Sequence, residues 1–489
     1  MEEDMVEKTP AYKPLSPREV EEVHNSSLRV LSEVGIRIPD GETREVLVNA
    51  GASIDDEAGI AYIPEGVVNK SVESAPSSVR LCGLDPSKDI VLEDGNVYLG
   101  TGGTALNMLD LEKGEKRPAV LNDLAEVVRL VDSLENIDFM LLPTYPNELD
   151  VEHVDVNRFF TGLLYTGKHV MGGVYTEEGV DKVVRMARTI AGSARELTSR
   201  PFISMITCMI SPLKPDQRYT KLMIKIAKEG IPVAVPAEPL CGATGPVTIA
   251  GNLVMQNVDS LTGVIIAQTV NPGTPVIYGS VASSTDLRTM KYLCGSVEMG
   301  LLNAAGAQMA RFYGLPYYAT AGASDSKALD AQSAYESSFT ALLAALAGAH
   351  YIHDAAGLME FAMTVCLEKY VIDNEILGMV KRAVKGVDVN ADSLAFEAIR
   401  DVGPGGNFIS HPHTVKNMRG EHYLPALSDR LDREEWENKG SLTAEERASI
   451  KVKDILGREE KRYLPDDVIR HLKDEFPELI YKQEEALHG

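Results

Sequence analysis

Polar and aromatic side chains gather where short β-rich runs of this chain end: Tyr98 and Thr101, Thr144 and Tyr145, Tyr175, Glu238, Tyr278, Thr320 and Asp325, and His353 beside Asp354. So many tyrosines with few basic groups suit a cationic, amphipathic ligand. Aromatic faces attract a quaternary ammonium at roughly 0.5–2 kcal/mol per contact. The plainer account is that a tyrosine at a strand end packs its ring and wets its hydroxyl. For any single tyrosine that account is the stronger; for the group the two are balanced. His353, as an N–H donor or an imidazolium, would hold a substrate carboxylate, with a satisfied core histidine as the competing account. Phe361, one short loop onward, would wall an aromatic cage, although the residues alone favour ordinary core packing. Glu238, in Pro236-Ala-Glu-Pro239, offers a counter-charge, a base, or a partner for a helix N-terminus.

Two other constellations carry less. His411-Pro-His413 has no nearby third ligand and poor spacing for a metal site. Ser283, His353 and Asp286 make a triad on paper, but no nucleophile-elbow motif supports it.

The elements that must position these residues follow a βα rhythm. Between 231 and 286 a short strand, a Gly/Pro-rich polar loop, a helix, a plain turn, a second strand and a second polar loop follow one another. Ala250, Val254, Val258, Leu261 and Ile265 recur at steps of three and four, which predicts an amphipathic helix with Pro246 in its first turn. Polar groups crowd the loops after the strands and avoid the turn before the second, as in a barrel that works at its strand C-termini. Eight β-rich runs fit this rhythm, at 97–101, 137–143, 169–175, 202–208, 232–236, 275–279, 317–321 and 350–354, with helical stretches such as 121–134, 177–191, 298–313 and 328–347 between them. They predict an α/β fold, a (β/α)8 barrel. An open doubly wound sheet is the rival, but Gly100-Thr-Gly-Gly103 lacks the GxGxxG spacing expected after its first strand.

Residues 1–94 are expected to form an N-terminal helical cap, 95–384 the barrel, and 385–489 a C-terminal helical extension and tail. Ser16-Pro-Arg-Glu opens the first cap helix, and Gly35 closes it. A net charge of −24 argues against nucleic acid and against an anionic membrane surface. There is no 18-residue apolar run and no apolar core behind the acidic N-terminus, so neither a membrane span nor a signal peptide is expected. Five scattered cysteines without a CxxC pair suit free thiols in a reducing cytoplasm.

Several long motifs then occur in order: Ser211-Pro-Leu213, Pro239-Leu-Cys-Gly-Ala-Thr-Gly-Pro-Val-Thr-Ile-Ala-Gly251, Asn271-Pro-Gly-Thr-Pro-Val-Ile-Tyr-Gly279, Gly322-Ala-Ser-Asp-Ser-Lys-Ala-Leu-Asp-Ala-Gln332 and Val371-Ile-Asp-Asn-Glu375. With them the chain resembles the trimethylamine methyltransferase family over residues 16–384. The resemblance implies a TIM barrel that presents a methylated amine to a corrinoid (cobalamin) on a separate corrinoid protein, with no protein-bound metal. Archaeal trimethylamine enzymes carry pyrrolysine, whereas this chain holds only standard residues. It is therefore similar to the non-pyrrolysine branch, whose members demethylate quaternary amines such as glycine betaine, carnitine or proline betaine.

A quaternary nitrogen already carries a neutral tertiary amine as leaving group, so covalent activation by a special residue is unnecessary. The resemblance implies an aromatic and histidine-lined pocket, carried onto Tyr98, His353 and Phe361; the strand-end reading adds Glu238 and Tyr278 at the mouth. No general base is assigned. Glycine betaine is the first choice of substrate, in a cytoplasmic homo-oligomer. The alternatives are a zinc-dependent corrinoid methyltransferase for methanol or thiols, and a non-catalytic quaternary-amine-binding protein. A docking role for the C-terminal extension, toward a second subunit or the corrinoid protein, stays open.

Overall fold

In the computed structural model, which describes residues 10–38, 41–111 and 113–481, eight parallel strands carry the chain. They are β1 Tyr98–Thr101, β2 Met140–Leu141, β3 Val170–Gly173, β4 Ile203–Ile206, β5 Val233–Ala237, β6 Val276–Ser280, β7 Tyr317–Thr320 and β8 Tyr351–Ala356. Sequence neighbours are sheet neighbours, and β8 pairs with β1. A bridge between Gly100 and Phe139 closes the ring between β1 and β2. Each strand leads to a helix: α1 Leu121–Asp132, α2 Val151–Tyr165, α3 Glu177–Ala191, α4 Gln217–Lys228, α5 Ile249–Val270, α6 Val297–Tyr313, α7 Ala331–Leu346 and α8 Leu367–Lys385. This is a (β/α)8 barrel, and all eight predicted strand runs fall on its strands.

Alternation along the strands sorts the side chains. Ile277, Tyr318 and Tyr351 enter the barrel with Phe139, Leu141 and Met171, while Tyr278 and Tyr317 belong to the core outside the sheet. Phe139 and Tyr351 stack at 3.5 Å, and Tyr351 and Tyr318 at 5.4 Å. Gly100 makes room for this column, since a Cβ there would lie 2.1 Å from the Phe139 ring. The hairpin of Val79–Leu81 and Ile90–Leu92 plugs the N-terminal end of the barrel with the same cluster.

The helix α5 departs from the amphipathic expectation, being buried on nearly every side. Helices Pro17–Arg29, Gly41–Ala50 and Glu65–Ser74 of the N-terminal region cover what would be its outer face. Ser16 and Glu19 form the capping box that starts the first of these, which runs on into a π-helical turn, Val30–Val34, ended by Gly35 at φ +77°. Pro246 lies in the loop before α5, which opens at Ile249 behind Thr248. Helix Ala444–Leu456 packs on α1 and α8, and Asp466–Glu475 on α3. Among the described residues no helix is long and apolar enough to cross a membrane.

Two small sheets wall the C-terminal end of the barrel. One joins Leu240–Cys241, Ser283–Asp286 and Lys291–Leu293, so the expected polar loop after β6 is a hairpin. The other joins Leu358–Met359 and Thr364–Val365, from the β8–α8 connection, to the hairpin Asn107–Asp110 and Glu115–Pro118.

Candidate active site

A cavity of about 650 Å³ opens at the strand C-termini. Its aromatic walls are Tyr175 beyond β3, Tyr219 on α4, Tyr292 on the hairpin after β6, Tyr318 of β7 and Phe361 of the β8–α8 connection. Glu238 follows β5 directly, and His353 and Asp354 come from β8. Cys208 and Lys291 complete the polar lining that matters for charge.

The structure brings His353, Phe361 and Glu238 together here, but not Tyr98 or Tyr278. Tyr98 opens β1, so it sits at the plugged end, where its hydroxyl accepts from the Val91 amide at 3.3 Å. Tyr278 faces away from the barrel interior, donating to Asn257 at 2.8 Å and accepting from Gln256 at 3.0 Å. Depth along the strand removes the first from the mouth; side-chain parity removes the second. The lining residues that sequence reasoning passed over are Cys208, Tyr219, Lys291, Tyr292 and Tyr318. Tyr318 was accessible through alternation along β7, whereas Tyr219, Lys291 and Tyr292 arrive from segments whose fold back over the mouth has no local signal.

Charge is unbalanced inside. The Glu238 carboxyl has no hydrogen-bond or ion-pair partner among the described residues, and burial together with the neighbouring Asp354 charge pushes its pKa up to about 7. Burial also raises Asp354, against the pull of His353 and the Gly103 amide. His353 stacks on Tyr318 at 4.3 Å. Its Nδ1 lies 2.8 Å from the Ala319 carbonyl, which can only accept, so Nδ1 carries the proton of the neutral ring. Its Nε2 then faces Asp354 at 3.4 Å. Burial lowers the histidine pKa, which keeps the ring neutral. The free N–H that would grip a substrate carboxylate is therefore already engaged.

β8 and the connection from it to α8 are held in an uncommon shape. Asp354, Glu360, Phe361 and Ala362 all have φ between 50° and 62°, a left-handed conformation that costs non-glycine residues roughly 1–2 kcal/mol each. Surrounding contacts impose it. The Gly357 amide donates to Asp373 at 2.7 Å, and Asp373 pairs with the fully buried Lys369 at 2.8 Å. Glu360 pairs with Lys116 and accepts from Thr364 at 3.0 Å, and Lys327 sits 4.0 Å over the Phe361 ring. Such strain concentrates at functional sites. On the opposite wall, the buried Arg158 guanidinium braces the loops by donating to the carbonyls of Leu142, Thr144 and Gly173. Among the described residues no three His, Cys, Asp or Glu side chains converge to hold a metal ion.

A (β/α)8 barrel whose strand ends converge on one aromatic, acidic cavity has the architecture of a barrel enzyme. The family model described as "Trimethylamine methyltransferase (MTTB)" matches residues 2–484, and the chain belongs to that methyltransferase family. The trimethylamine methyltransferase MttB of Desulfitobacterium hafniense (strain DSM 10664 / DCB-2) is 34% identical over 458 residues, 94% of this chain and 92% of that protein. The glycine betaine methyltransferase of Desulfitobacterium hafniense (strain Y51) is 31% identical over 450 residues, 91% of this chain and 93% of that one. The crystal structure of the Methanosarcina barkeri monomethylamine methyltransferase is 12% identical with a TM-score of 0.49, covering 95% of this chain and 93% of its own.

Proposed function

We propose that this methyltransferase moves a methyl group from a quaternary amine to the Co(I) corrinoid of a separate protein, with glycine betaine as the first substrate to test. The observation that carries the reading is the unpartnered Glu238 carboxyl beside Asp354 in an aromatic-walled cavity. A permanent cation is the ligand such a site favours, since it supplies the charge that the protein withholds. Phe361, Tyr175, Tyr292 and Tyr318 surround the methylated nitrogen, and Glu238 is its counter-ion. His353 holds Asp354 in place. A betaine's own carboxylate is directed away from the two acids and toward Lys291. Family membership and the glycine betaine relative support the same class.

In the transfer, the C–N bond breaks with its electron pair left on nitrogen, and the methyl carbon bonds to cobalt. A neutral tertiary amine departs. No proton is exchanged at the reacting carbon, so the barrel contributes by positioning the methyl group and excluding water. The reaction is assigned to the cytoplasm, in keeping with five cysteines that form no disulfide. The test is to incubate the protein with Co(I) cobalamin and glycine betaine, carnitine, choline or trimethylamine and follow methylcobalamin spectroscopically. Turnover of trimethylamine alone would overturn the quaternary-amine assignment.

A further inference from the structure

We propose that Thr104 and Tyr175 form a paired hydrogen-bond donor site, backed by Arg158, for an uncharged oxygen on the carbon chain of the amine. The cavity would then select quaternary amines that carry a hydroxyl or carbonyl besides their charged groups. The inference rests on the quaternary-amine reading above and adds a part of the substrate which that reading leaves unassigned.

The site begins with an arginine that is fully buried yet has no ion-pair partner among the described residues. Arg158, on α2, spends its five N–H groups on oxygens alone. Three are the loop carbonyls already described; the other two are the hydroxyls of Thr104 at 3.2 Å and Tyr175 at 3.4 Å. A guanidinium only donates. At each hydroxyl it therefore occupies a lone pair and leaves the O–H free to point elsewhere. Neither hydroxyl donates to another group among the described residues, and both residues line the cavity. The buried positive charge behind them polarises the two O–H bonds, which makes each a stronger donor to an oxygen in that cavity.

The backbone is held so as to present the pair. Thr104 has φ +62°, a left-handed conformation that a β-branched residue rarely adopts. The residue before it, Gly103, gives its amide to Asp354 at 3.3 Å, so one loop carries both a donor and a tie to the acidic pair. Tyr175 is gripped twice from α2: Asp155 accepts from its amide at 3.0 Å, and Arg158 takes its hydroxyl. Strain of this kind persists only where surrounding contacts impose it, and here they leave the hydroxyl on the cavity wall.

The oxygen served is not the carboxylate. Thr104 and Tyr175 belong to the β1–β3 arc of the ring, whereas Lys291 stands on the hairpin after β6. A carboxylate turned toward Lys291 leaves the pair to another group. Space allows one, because about 650 Å³ lies in the range of drug-sized ligands, well beyond the smallest betaine. Two donors suit a hydroxyl or carbonyl oxygen, which offers two lone pairs. A wholly alkyl chain would strip water from both hydroxyls and leave them without an acceptor, a cost that sets the discrimination.

The test is calorimetric titration with two matched pairs of amines: choline against ethyltrimethylammonium, and carnitine against the same chain lacking its hydroxyl. Wild type is expected to bind the oxygen-bearing member of each pair about 10-fold more tightly. Tyr175→Phe and Thr104→Val are each expected to bring that ratio close to one. Tyr175→Phe keeps the ring, so it carries the test alone if Thr104→Val does not fold. Equal affinities within each pair in the wild type, or a ratio untouched by Tyr175→Phe, overturn the proposal and leave the quaternary-amine reading standing. Failure of all four amines to bind would instead overturn that reading, and this inference with it.

Discussion

The two ends of the barrel treat a carboxylate in opposite ways. At the plugged end, burial alone would raise Asp89, but Arg200 at 3.0 Å, Arg80 at 2.9 Å and the Gly83 amide at 3.1 Å hold it below the usual carboxylate range. At the open end Glu238 is more deeply buried, finds no cation among the described residues, and is pushed up to about 7. The backbone shows the same division: three left-handed non-glycine residues crowd the β8–α8 connection and a fourth, Asp354, lies in β8, while the plug is a regular antiparallel hairpin. One end satisfies its own groups, and the other leaves a charge for a ligand to satisfy. On the proposed function, the first end governs stability and the second binding.

Substitutions that separate the two ends test this directly. Leu81→Ala, in the fully buried plug, is expected to cost about 2–5 kcal/mol of stability in denaturant unfolding and to leave amine affinity in the folded protein unchanged. At the other end, Glu238→Gln is expected to weaken quaternary-amine binding about 30-fold, or ~2 kcal/mol, by calorimetric titration. Its effect on stability has the opposite sign. A carboxyl raised above its ordinary value adds stability below that value and loses it as pH rises through about 7, so the glutamine variant should melt higher than wild type at pH 8.

Asp89 reverses the sign. Its lowered pKa adds stability above the ordinary carboxylate range and loses it as pH falls. Asp89→Asn is thus expected to lower stability by about 1–2 kcal/mol at pH 7, with the gap closing in acid. A smaller effect follows for the aromatic wall: Phe361→Leu should cost the amine about 1 kcal/mol of affinity, whereas Tyr278→Phe, outside the cavity, should cost it nothing. Equal losses from both would remove the distinction between wall and outer core.

The architecture was legible because eight β-rich runs and their intervening helices repeat a local signal, and strand alternation is a local property. Glu238 and His353 were legible for the same reason, since one directly follows a strand and the other lies on one. Tyr98 and Tyr278 were misplaced because a run of β residues does not say which end is plugged, or which parity faces inward. The cover over α5 was hidden, because its apolar outer face reads as amphipathic error until helices from the N-terminal region are folded onto it. Lys291 and Tyr292 reach the mouth through a hairpin that returns over the barrel, a long-range contact with no periodic trace.

The central claim, that the open end is built for a permanent cation, is tested most directly by titrating glycine betaine, choline and trimethylamine against wild type and Glu238→Gln between pH 6 and 8.5. Quaternary-amine affinity is expected to rise several-fold as pH passes about 7 in the wild type, and to stay flat in the variant. Affinity that is independent of pH in both proteins, or unchanged by the substitution, would contradict it.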